Sequence, residues 1–90
     1  MKLSFETLEK LLGSGKYHLL TDDETRLVYY PPDIGEASGE EGGPVRIMEI
    51  TLKKEDDGYE IVKGLVKENE KVVKEISRDE LELWLQFIEG

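Results

Sequence analysis

His18 is the only histidine in the chain. A general base needs an adjacent nucleophile or acid, and a metal site needs further ligands. On a strand-like run beside Leu19 and Leu20, it reads as an ordinary strand residue. The stretch GSGK at 13–16 suggests a phosphate-binding loop, but the full pattern fails. Lys10 stands where the first glycine belongs, and Tyr17 replaces the serine or threonine. The order is also inverted, with a helix leading into the loop instead of a loop leading into a helix N-terminus. Asp22, Asp23 and Glu24, like Glu55, Asp56 and Asp57, offer oxygen ligands, but they lack the alternating spacing of a calcium loop and read as solvated turns. There is no cysteine, which removes disulfides, thiolate metal sites and thiol nucleophiles. The expectation is a protein with no catalytic residue, no metal and no cofactor, and hence not an enzyme.

Two binding constellations remain. Tyr17, Tyr29, Tyr30 and Tyr59 fall on strand-like runs, with Arg26, Arg46 and Lys63 nearby in sequence. Aromatic rings and cations sharing a sheet face make a platform for single-stranded nucleic acid, because bases stack on rings while cations follow phosphates. A net charge of −9 opposes a polyanion, so nucleic-acid binding is the alternative reading.

The other constellation is acidic and apolar. The stretch PPDIGEASGEEGGP, residues 31–44, carries Asp33, Glu36, Glu40 and Glu41 with no cation, and residues 78–90 carry a further net −3. In the C-terminal segment, Asp79, Glu82, Gln86 and Glu89 form one polar stripe. Leu81, Leu83, Trp84, Leu85, Phe87 and Ile88 leave more apolar surface than a helix lying on a sheet requires. If Leu81, Trp84, Leu85 and Ile88 face the core, Leu83 and Phe87 fall on a flank. Leu83, Phe87 and Trp84 are then the candidate interface, either for a protein partner with a basic surface or for a second copy in a twofold homodimer. The leading expectation is a non-catalytic protein–protein interaction module. A small acidic inhibitor that mimics nucleic-acid charge is a special case, and it requires the acidic stretch and the helix stripe to lie on one side.

The elements that must position these residues follow from local patterns. Ser4 caps a helix over about 4–12, with Leu3 and Leu8 spaced as a hydrophobic staple and Gly13 placed as its left-handed stop. Ser77 and Glu80 form a capping box for the last helix, and Ile76 and Leu81 form its staple. The similarity of the two helix starts follows from shared capping chemistry, without any duplication. Five strand-like runs lie between, at 16–20, 26–30, 45–53, 59–67 and 71–76. Asp57-Gly58 signals one hairpin and Glu68-Asn69 another, and Gly64 signals a bulge or bend. The fold class expected is α+β: a five-stranded, curved antiparallel meander between two helices, in the order α-β-β-β-β-β-α.

Ninety residues make one small domain, and cutting at 31–44 would leave pieces too short to bury a core. The Pro/Gly-rich stretch is therefore expected to be a flexible loop between the second and third strands. The N-terminus has no apolar run suited to a signal peptide or a membrane span, so a soluble cytoplasmic protein is expected. Asn69 and Gln86 are the only side-chain amides, a depletion that hints at a hot environment. Ile47 opposes Met48 and Ile61 opposes Val62, so the sequence does not decide which sheet face is buried.

Overall fold

The computed structural model describes residues 1–30 and 46–89. The acidic stretch 31–44, with its expected mobility, lies outside the described residues. In chain order the elements are β1 (Lys2–Ser4), α1 (Phe5–Gly13), β2 (Tyr17–Thr21), β3 (Thr25–Tyr29), β4 (Arg46–Glu55), β5 (Gly58–Glu68), β6 (Lys71–Ile76) and α2 (Arg78–Glu89). The fold is α+β, an open, curved antiparallel sheet with one N-terminal and one C-terminal helix. Strands β2, β3, β4 and β5 lie side by side in chain order. The outer edge of β5 is shared, with β1 pairing along Gly58–Glu60 and β6 along Gly64–Glu68.

Short turns produce the meander. The β5–β6 hairpin turn is Asn69-Glu70 and not the expected Glu68-Asn69, because Glu68 still pairs with Lys71. At φ 52° and 71° the two turn residues form a left-handed pair whose twist matches the strands it joins. Both helix starts are capped by serine: the Thr7 N–H donates to Ser4 Oγ at 3.1 Å, and the Glu80 N–H donates to Ser77 Oγ at 3.2 Å. The core lies on one face of the sheet, where Leu8 and Leu11 of α1 and Leu81 of α2 meet Leu3, Leu27, Ile50, Leu52 and Ile61.

Four further local expectations need correction. The first concerns β1, a sixth strand hidden in what reads as the approach to a helix cap. Leu3 is fully buried, and its main chain pairs with Tyr59. Second, Gly58 is not a turn residue. The β4–β5 turn is Asp56-Asp57, and Gly58 already pairs with Glu55 and Ser4. A Cβ on Gly58 would stand 2.5 Å from the Leu3 carbonyl oxygen, so glycine is what lets β1 approach. Third, α1 continues through Gly13 and Ser14 is its C-cap, so the left-handed glycine is Gly15, at φ 80°. Fourth, Gly64 is in register with Ile50. The irregularity lies two residues earlier, where Val62 is the extra residue between the pairs Leu52–Ile61 and Thr51–Lys63. A Cβ on Gly64 would meet Leu81 Cδ2 at 2.9 Å and Ile76 Cδ1 at 3.2 Å. The residue serves as the seat of α2.

These contacts predict opposite effects for two alanine substitutions. Gly58→Ala forces β1 off the sheet edge and lowers unfolding free energy by about 1–3 kcal/mol in urea titrations. Gly13→Ala, with nothing within 4 Å of the new methyl, raises it by about 0.5 kcal/mol. Equal effects at the two sites would contradict the close approach of Leu3.

Candidate functional site

Helix α2 is anchored along one side. Leu81 is buried, and Trp84, Leu85 and Ile88 pack against the core cluster. Trp84 adds a polar tie across 67 positions of sequence, since its Nε1–H donates to Tyr17 Oη at 3.2 Å. Its capping glutamate is also held. Glu80 accepts from Lys74 Nζ at 2.8 Å and stands beside Ser77, and these contacts lower its carboxyl pKa, with Lys74 foremost. The helix is thus fixed at its start and along its inner face, which fixes where its outer face points.

That outer face carries Leu83 at 66% exposure and Phe87 at 85%, the largest value among the exposed large apolar side chains of the described residues. The expected interface residues therefore divide: Leu83 and Phe87 lie on the surface, while Trp84 packs inward. The stripe residues Asp79, Glu82 and Glu89 are exposed on the same helix. Glu82 pairs with Arg78 at 3.5 Å, whereas Asp79 and Glu89 have no ion-pair partner among the described residues. Asp33, Glu36, Glu40 and Glu41 fall outside the described residues, and with them the question of whether loop and helix acids share a side.

The residues of the nucleic-acid reading are distributed over both sheet faces. Tyr17 and Tyr29 lie on the helix-covered face with ring centroids 4.7 Å apart. Tyr59 is on that face too, edge-on to Phe5 at 5.5 Å. Tyr30 lies on the opposite face, edge-on to His18. Arg26 and Arg46 are both engaged by carboxylates, Arg46 with Glu68 at 3.1 Å. Lys63 has no ion-pair partner among the described residues and lines a cleft of about 500 Å³ where β1 and β6 leave β5 uncovered. The four rings do not form one platform.

Sequence reasoning missed a charge network on the face that the helices leave open. Glu49 of β4 is buried at 7% exposure. It accepts from Arg26 of β3 and approaches Lys67 of β5, both at 3.0 Å, and Arg26 also pairs with Asp22. The available signal was a single carboxylate inside the apolar run Ile47–Ile50. Burial pushes the Glu49 carboxyl up, but the hydrogen bonds and charges of Lys67 and Arg26 outweigh it and hold the carboxyl below its ordinary value. Among the described residues no group of three or more His, Asp or Glu is placed to hold a metal ion. No helix there is long and apolar enough to cross a membrane.

A carboxyl whose folded pKa lies below its unfolded one stabilises the fold above the unfolded value, and that contribution fades as pH falls through the folded value. Glu49→Gln should therefore lose about 1–3 kcal/mol at pH 7, because it leaves two partly buried cations underpaired. The gap to wild type should narrow as pH drops below the ordinary carboxylate value of 4.5. Urea titrations of both proteins across that range measure the gap, and a gap independent of pH would refute the network's role.

Compared with known protein families, curated proteins and solved structures, the chain matches none.

Proposed function

We propose that this protein is a non-catalytic protein–protein interaction module that binds through the outer face of α2. The observation that carries the reading is the pair Leu83 and Phe87, exposed on a helix whose other side is held by the core. A phenylalanine left in water forgoes about 1.5–3 kcal/mol of burial. A rigid helix also presents its side chains with little ordering left to do on binding, which favours a contact surface. The acids Asp79, Glu82 and Glu89 orient that surface toward a basic partner. An acidic inhibitor that mimics nucleic-acid charge is the special case in which Asp33, Glu36, Glu40 and Glu41 join the same surface.

The test is capture of partners by immobilised full-length protein, compared with a Leu83→Ser, Phe87→Ser double variant. The variant should keep its unfolding free energy within about 1 kcal/mol, since both side chains face solvent. It should lose the partner by tenfold or more. Undiminished capture would remove α2 as the interface. Loss instead on replacing residues 33–43 by a short glycine-rich turn would move the interface to the acidic stretch.

A further inference from the structure

We infer that the occupant of the α2 face is a cationic amphipathic helix, lying antiparallel to α2 and carrying a lysine or arginine one turn C-terminal to its own apolar pair. The inference rests on the reading of α2 as an interface and adds the chemistry, secondary structure and direction of what it binds. Asp79, Leu83 and Phe87 follow one another at intervals of four, so they form a single ridge along the helix. Helices pack by setting such ridges into the grooves of a neighbour, with apolar anchors spaced one turn apart. Two exposed anchors on one ridge therefore fit an apolar pair spaced by four residues on another helix.

Charge sets the direction. Asp79 ends the ridge on the N-terminal side, exposed and without an ion-pair partner among the described residues. Its neighbours are already engaged, Glu80 by Lys74 at 2.8 Å and Glu82 by Arg78 at 3.5 Å. At the other end, the last turn of α2 itself holds no basic side chain to offset the negative end of the helix dipole. An antiparallel helix brings its positive N-terminal end to that point. It also brings its last turn to Asp79, where a lysine or arginine would satisfy both the aspartate and its own dipole. Numbered along the partner, the pattern is apolar, apolar four residues on, and a cation four residues after that.

The same charges oppose a second copy. Two α2 helices packed antiparallel on this ridge would place Asp79 of each against the negative end of the other, twice by symmetry. Parallel packing would set Asp79 beside Asp79.

The experiment uses two synthetic helical peptides in an alanine and glutamine background. One has leucines four apart and lysine four residues after the second leucine. The other has glutamate in place of that lysine. Each is titrated into the full chain by calorimetry and by amide chemical-shift mapping at low salt. The lysine peptide should bind with Kd near or below about 100 µM, and the glutamate peptide at least tenfold more weakly. Shifts should be confined to α2, Phe87→Ser should abolish binding, and Asp79→Lys should invert the preference between peptides. Equal affinity for the two peptides, or no preference change with Asp79→Lys, overturns the cationic assignment while leaving α2 as the docking face. Binding that survives Phe87→Ser overturns the docking face as well. A wild-type dimer in sedimentation equilibrium that Phe87→Ser dissociates would make a second copy the occupant and overturn the inference. Silence of both peptides against a monomer at about 1 mM overturns the helical partner class.

Discussion

The contact of Leu81 with the bare backbone of Gly64 determines how the surface of this protein is laid out. A methyl at residue 64 would lie 2.9 Å from the Leu81 side chain, so α2 can come down on the sheet only where β5 lacks a Cβ. Ile76, the last residue of β6, closes on the same point, and the capping box at Ser77 and Glu80 starts the helix immediately afterwards. With its first turn fixed there, α2 crosses the sheet far enough for Trp84 to reach Tyr17 on β2. Leu85 and Ile88 then pack inward, and Leu83 and Phe87 have no choice but to face water. The exposed position of the pair is a consequence of where one glycine sits, three strands from the far edge.

A second constraint comes from size. Both helices cover one face, which leaves a sheet of small area with a second face to hold together. Apolar residues alone do not do this. Glu49 instead ties β3, β4 and β5 across that face through Arg26 and Lys67. Such a network is strong only when every member is satisfied, because an unpartnered charge in a partly buried site loses its hydration without compensation. In a chain with net charge −9, spending two cations on a buried carboxylate also concentrates the remaining negative charge at the surface. The open face therefore serves stability, and it leaves α2 and the acidic stretch as the sites of surplus charge.

The local grammar of this fold was legible in the residues. Both serine caps, the Ile76–Leu81 staple, the succession of antiparallel strands and the inward side of α2 follow from short-range patterns, and short-range physics made them. What escaped depends on pairings distant in sequence. β1 has three residues and no signature of its own. It exists because Gly58, more than fifty positions away, makes room for the Leu3 carbonyl. The distribution of the tyrosines was hidden for a related reason. Tyr29 and Tyr30 must point to opposite faces, but which of them joins Tyr17 and Tyr59 depends on register. The extra residue at Val62 then shifts the alternation along β5, and no composition or periodicity reveals it. Glu49 was visible as a lone charge among apolar neighbours. Its partners were not, because Arg26 and Lys67 reach it across two strand pairs.

This division between local and distant causes bears on how the α2 surface should be understood. Leu83 and Phe87 do nothing for the fold that a polar residue could not do: neither belongs to the core cluster. A serine or lysine at either position would keep the capping box, the Gly64 seat and the Trp84–Tyr17 bond. The apolar pair is thus a feature the folding constraints permit without requiring. The same holds for the missing cation in the last turn of α2, where a lysine would favour the isolated helix through its dipole. Two departures from what stability alone favours, one hydrophobic and one electrostatic, meet on the same exposed ridge. Each has an ordinary explanation when taken singly. Their coincidence on a helix fixed at its base is the reason for proposing this face, rather than the divided tyrosines or the cleft beside Lys63, as the binding surface.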